Sequence, residues 1–307
     1  ATTRDVATAG TDSGDCADSA NPCRTVQYAV DQALEGDEVR VAAGEYTDVN
    51  YYGDLAQIVY LTKTVTIQGG YTLTNWITPD LDANPALLNA MGLGRVVYIT
   101  GTISPTISGL RITGGDATGL GGYANTSDAG GGLYVITASA TISSCEFYSN
   151  SSPQYGGAAA LVSSSGQFVG NYINTNNADI SGGGVASFLG YNNIINNTFS
   201  NNSGGGLYLG GESSLQTGNE QVIGNTFEGN SGGLGGGIEL WWAPPATISR
   251  NTLLNNIADQ GGGIYSFDND PILKDNLIRG NQADLGGGLY LLGYDGIMDS
   301  NVVVSNS

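Results

Sequence analysis

From residue 145 onward one pattern returns seven times and limits what the chain can become. One position holds Cys145, Asn171, Asn197, Asn225, Asn251, Asn276 and Asn301, and five residues later stands Asn150, Asn176, Asn202, Asn230, Asn256, Asn281 or Asn306. A Gly-rich opening runs in phase with it, starting at residues 130, 156, 182, 204, 235, 261 and 286, at intervals of 26, 26, 22, 31, 26 and 25 residues. A unit of that length cannot bury its apolar side alone, so the copies must stack on one another.

Apolar residues keep fixed places around the first position. Three before it come Ile142, Phe168, Ile194, Val222, Ile248, Leu273 and Met298; two after it come Phe147, Ile173, Phe199, Phe227, Leu253, Ile278 and Val303. The two sets differ in parity, so the chain bends between two short strands. The Gly-rich segment supplies a third strand that turns Leu133, Val185, Leu207, Ile238, Ile264 and Leu289 inward. Three strands per repeat without helical periodicity predict an all-β parallel β-helix, a solenoid of coils of about 25 residues. Stacked in register at about 4.8 Å, the inward asparagines Asn171, Asn197, Asn225, Asn251, Asn276 and Asn301 would form a ladder. Each amide supplies donor and acceptor to the next, and Asn tolerates the left-handed backbone of a tight bend. Cys145 ends the ladder as a small buried substitute. The N-x-S/T sequences at Asn125, Asn150, Asn196 and Asn201 also fit glycosylation acceptors.

Residues 1–60 read as an N-terminal segment and cap, and 61–307 as the coils of a single domain. Val26, Ala29, Val30, Ala33 and Leu34 recur at helical spacing between Pro22 and Gly36, predicting an amphipathic helix over the end of the stack. No comparable cap follows Val302–Val303–Val304, which predicts a further coil or a docking partner there. Cys16 and Cys23 bracket a short polar loop, which suits a disulfide with Cys145 free; three reduced thiols are the other arrangement.

Composition narrows the partners. With nine Lys plus Arg against 28 Asp plus Glu, the formal charge of −19 disfavours nucleic acid and anionic lipid. No apolar run reaches the roughly 18 residues of a membrane helix, so no membrane insertion by this segment is expected. The chain begins at Ala1 and reads as a processed, extracellular or cell-surface segment.

These residues resemble the right-handed parallel β-helix proteins of the pectin-lyase-like superfamily. CRTVQYAVDQALEGDEVRVAAGEY is similar to the capping segment that introduces many secreted β-helices. FYSN (147–150), FSNN (199–202) and FEGN (227–230), alternating with GGG or GGA openings, resemble the FxxN and GGA[ILV] repeats of polymorphic outer-membrane adhesins. The resemblance implies the fold over about residues 22–307, while the superfamily spans lyases, hydrolases, adhesins and tailspikes. Pectate-lyase relatives use an Arg or Lys base beside Ca²⁺-binding carboxylates, and polygalacturonase relatives use Asp residues with Gly-His-Gly and Arg-x-Lys segments. This chain has no His and no Arg-x-Lys, and Arg250, Lys274 and Arg279 fall in no matching motif.

Two surface sets remain. Outward-facing Tyr134, Tyr208, Tyr265 and Tyr290, with Glu239 in one coil, predict an aromatic column; Tyr is also simply a good strand former. Near the strand ends Trp241, Trp242, Phe267 and Tyr294 join Tyr265 and Tyr290 as a candidate glycan-binding patch. Asp270 and Asp295 share one offset in neighbouring coils, beside Asp268, and a second acidic pair, Asp259 and Asp284, precedes the Gly-rich opening. Such carboxylates suit solvated turns, calcium or glycan chemistry; no cofactor is required, and calcium is the candidate metal. The functional expectation is a non-enzymatic structural or adhesive surface protein. Its partners would be copies of itself, other surface proteins or glycans, possible assemblies being filaments or matrix. The alternative is a polysaccharide-binding or polysaccharide-cleaving β-helix.

Overall fold

The computed structural model describes residues 1–123, 127–211, 219–243 and 245–307. Three long sheets run along a common axis. Sheet A has eleven strands, from Thr3–Val6 and Glu38–Ala42 to Ile297–Asp299; sheet B has ten, from Gly44–Tyr46 to Val302–Val304. Sheet C has ten, from Asn50–Tyr52 and Leu55–Leu61 to Leu289–Leu292. From Arg95 onward each coil lays a strand in C, then A, then B. Pairing in these sheets is parallel except where Asn50–Tyr52 folds back on Leu55–Leu61. The parallel β-helix predicted from the repeat is the fold observed.

Register places like on like. In sheet B, Phe199 pairs with Phe227, then Leu253, Ile278 and Val303 follow in line. The Phe199 and Phe227 rings stack with centroids 4.6 Å apart. Along this column each inward residue thus packs on an apolar neighbour in the adjoining coil, and burial of such side chains drives the stack at roughly 25 cal/mol per Å². The last coil lacks a neighbour on one side: Met298 and Val303 are 48% and 42% exposed, whereas Leu273 and Ile278 beneath them are fully buried.

The asparagine ladders form at both corners flanking sheet B. Asn251 Nδ2 donates to Asn276 Oδ1 at 3.1 Å and to the Val222 carbonyl at 2.8 Å, and its backbone N–H donates to the same Asn276 Oδ1. Asn225 treats Asn251 in the same way. The second ladder repeats the scheme from Asn150 to Asn306. Cys145 heads the first, its N–H donating to Asn171 Oδ1. The left-handed residue of each bend, however, is the one before the ladder Asn: Asn196, Arg250, Asp275 and Ser300 in the first ladder, Asn201, Asn255 and Ser305 in the second. The ladder Asn itself keeps ordinary backbone, because its side chain must turn inward with its N–H along the axis. Gly224 takes the left-handed place in one coil, where a Cβ would meet Asn196 Oδ1 at 2.5 Å. Asn150 is 1% exposed within its ladder, whereas Asn125 lies outside the described residues.

The Gly-rich openings answer to two demands. Gly261 has φ +65°, and a Cβ on Gly263 would sit 2.4 Å from the Gly288 carbonyl oxygen of the next coil. Only glycine allows both the turn and that approach.

At the other end, helix α1 (Val26–Gln32) is capped by Thr25, whose hydroxyl accepts the Tyr28 N–H. It buries Val26, Ala29 and Val30. The helix is shorter than its periodicity suggested: Ala33 is extended and Leu34 is 70% exposed. Gly36 and Asp37 explain this, for the Asp37 carboxylate draws the Leu34 N–H and the Arg4 guanidinium to itself and turns the chain out of the helix. Strands of all three long sheets already lie within residues 1–60, and Thr3–Val6, which carries no repeat signature, heads sheet A. Cys16 and Cys23 form a disulfide and Cys145 is free and buried.

Candidate functional site

The outward face of sheet C carries two side-chain columns. One runs Tyr60, Tyr98, Tyr134, Ala160, Ala186, Tyr208, Glu239, Tyr265, Tyr290; the other includes Ile136, Val162, Phe188, Gly210, Trp241, Phe267 and Leu292. Where the first column shrinks to Ala160 and Ala186, loop residues fill the space. Tyr123 stacks on Phe188 at 4.0 Å and Tyr155 on Tyr208 at 5.4 Å, closing a small second core outside the sheet. Arg95 anchors the start of this cover. Its guanidinium lies 4.6 Å from the Tyr134 ring and donates to the carbonyls of Leu120, Gly121 and Ala129, while burial brings its pKa down to about 10.

Glu239 stands in this column between Tyr208 and Tyr265, only 5% exposed. Its Oε2 accepts the Ser181 hydroxyl at 2.7 Å. Burial pushes its pKa up to about 7, against the Ser181 bond, which pulls the other way. Sequence parity marks Glu239 as outward and hence solvated; what covers it comes from coils far away in sequence. The two alanines opposite a row of tyrosines were the available signal that a loop must cover the face. A second buried acid, Glu220, points into the solenoid, where Ser187 donates to its Oε1 at 2.7 Å and burial lifts its pKa to about 7.

Further along, the predicted aromatic residues meet. Trp241 and Phe267 stack at 4.7 Å, and Trp242 is inclined to them by 59° and 50°. Trp242 is 38% exposed on a left-handed turn with φ +47°. Tyr265 and Tyr290 stack at 5.9 Å, with Tyr265 buried and Tyr290 half-buried. Tyr294 donates its hydroxyl to the Pro271 carbonyl. This corner, where sheet C hands over to sheet A, also holds the exposed Asp268, Asp270 and Asp295. Asp268 follows Trp242 in the stack: the Trp242 N–H donates to the Phe267 carbonyl, and the Asp268 N–H to that of Leu292. Asp270 Oδ1 accepts the Asp295 N–H at 2.6 Å, so the pair forms a turn contact between coils. Asp259 and Asp284 lie on the neighbouring strands Ile257–Gln260 and Gln282–Leu285, at the other end of the sheet C strands. Among the described residues no three Asp, Glu, His or Cys side chains converge as a metal site.

Residues 95–233 match the family model described as the right handed beta helix region. The chain folds as a right-handed parallel β-helix. Solved structures with a similar chain path include a rhamnogalacturonan lyase (11% identity, 98% of this β-helix and 88% of that chain, TM-score 0.48) and the pectate lyase Pel9A (12%, 97% and 79%, 0.47). XylC in complex with xylose is another (10%, 95% and 67%, 0.48). No curated protein matches the β-helix significantly. Among the described residues no helix is long and apolar enough to cross a membrane.

Proposed function

We propose that this β-helix is an extracellular protein that binds polysaccharide at the corner between sheets C and A. The observation that carries the reading is Trp242, an indole left partly open on a strained turn and backed by the Trp241–Phe267 stack. A left-handed Trp is costly, since bulky residues avoid that region. An aromatic face beside hydroxyl and carboxylate acceptors suits a sugar ring, which presents C–H groups on its face and hydroxyls at its rim. The coil rise of about 4.8 Å is comparable to the length of one pyranose ring, so an extended glycan along the axis would keep pace with the coils.

Replacing Trp242 by alanine is expected to abolish retention in polysaccharide affinity gels while leaving the melting temperature within about 1 °C, since the ring adds little to the core. The measurement is made with and without Ca²⁺. Equal retention of both proteins removes the reading.

A second reading, an adhesive or self-associating surface protein, draws on the uncovered inward side of the last coil, at Met298 and Val303. Another coil or another molecule can cover it. Under this reading the 307-residue chain forms concentration-dependent oligomers in light scattering, and Val303→Lys reduces them because a charge cannot be buried there. Strict monomers at high concentration exclude it for this chain.

A further inference from the structure

We infer that the polysaccharide taken at this corner is uncharged and that polyuronates are rejected there, an inference that rests on the glycan-binding reading above. Between Arg111 and Arg250 the sequence holds no Lys or Arg, and residues 112–307 carry fifteen acidic side chains against three basic. Those three serve other faces. Arg250 sits in the bend between sheets A and B, Lys274 lies on sheet A with its ammonium 3.1 Å from the Asp299 carboxylate, and Arg279 lies on sheet B. The arginine of sheet C, Arg95, is 1% exposed and directs its guanidinium at backbone carbonyls.

A uronate chain laid on Trp242 would therefore carry its carboxylates toward Asp268, Asp270 and Asp295 with no cation of sheet C to receive them. At low ionic strength that repulsion reaches well past the contact distance, because the Debye length is about 30 Å at 0.01 M. An uncharged sugar meets the same groups differently. Its hydroxyls donate, and a carboxylate accepts on both oxygens. The corner thus selects by sign: the carboxylates that repel a uronate are acceptors for a neutral sugar whose face lies on the indole.

The test is affinity electrophoresis of the whole chain in EDTA, in gels containing xyloglucan, galactomannan or mixed-linkage β-glucan, and in gels containing polygalacturonate or alginate. The parent, Trp242→Ala and the double variant Asp268→Asn, Asp295→Asn are run side by side; asparagine tolerates the left-handed backbone of position 268, so folding is preserved. The expected result is retardation in a neutral gel that Trp242→Ala removes and that the double variant weakens about tenfold. No retardation of the parent is expected in the acidic gels at low salt. Trp242-dependent retardation in an acidic gel at low salt, equal to or stronger than in the neutral gels, overturns the inference and leaves glycan binding standing. Neutral retention unchanged in the double variant also overturns it. The absence of Trp242-dependent retardation in every gel overturns the binding reading and this inference together.

Discussion

Asn251→Leu is expected to lower the unfolding free energy by on the order of 4 kcal/mol, because it strands several buried groups at once. The Asn225 backbone N–H and Nδ2 lose Asn251 Oδ1, the Val222 carbonyl loses its donor, and Asn276 Oδ1 keeps the backbone N–H of residue 251 but loses the Nδ2 donor. All of these lie in the protein interior, and water cannot replace the partners. A urea titration should show a clearly earlier midpoint, whereas Asn196→Ser, on the exposed turn residue next to the ladder, should differ from the parent by less than about 1 kcal/mol. Coincident midpoints for Asn251→Leu and the parent would show that the ladder is ornamental.

Acidity should stabilise the molecule over a range where most proteins are indifferent. Glu239 and Glu220 both have folded-state pKa values raised from 4.5 to about 7 by burial. Their contribution is fully present below the unfolded value and is lost as pH rises through about 7, because the ionised forms sit poorly in the interior. Between pH 5 and 8 each group should cost roughly 2–3 kcal/mol. Asp5, raised to about 6 chiefly by burial, acts in the same direction. The thermal midpoint should fall across this window, and Glu239→Gln should recover a large part of the loss, since a neutral amide still accepts the Ser181 hydroxyl. A parent midpoint equal at pH 5 and pH 8 is the outcome that would sink this account.

The parts of the molecule legible in its sequence are those governed by neighbours at a fixed interval. Asn251 finds Asn276 25 residues on, and Phe199 finds Phe227 28 residues on; both recur in step, so periodicity alone discloses the stack. Glu239 illustrates the opposite case. Its alternation with Leu240 reads as outward and wet, and only the three-dimensional path brings Ser181, 58 residues earlier, over its carboxyl. The strand Thr3–Val6 was equally hidden, since it borrows its register from Glu38–Ala42 and has no repeat of its own. The aromatic corner lies between: the sequence collects Trp241, Trp242 and Phe267, but not the inclination that leaves Trp242 open while Trp241 and Phe267 face each other.

The intervals of 22 and 31 residues show where such a chain tolerates a change in length. In the short coil the turn into sheet C contracts, and Gly204 and Gly205 both take positive φ, 90° and 87°. The surplus of the long coil lies beyond Gly210, ahead of the strand Glu220–Ile223. Both ladders pass through these coils without a missed bond. Length thus varies in the turn into sheet C and in the link from sheet C to sheet A, whereas the two ladder positions flanking sheet B stay five residues apart in every coil, and along the axis the protein grows or shrinks only by whole turns. A single-residue slip inside a strand would exchange its faces and break three sheets together, whereas duplication of an entire turn leaves every neighbour with an equivalent partner. Lineages of such proteins are thus free to differ in length by multiples of one turn while their cross-section stays constant.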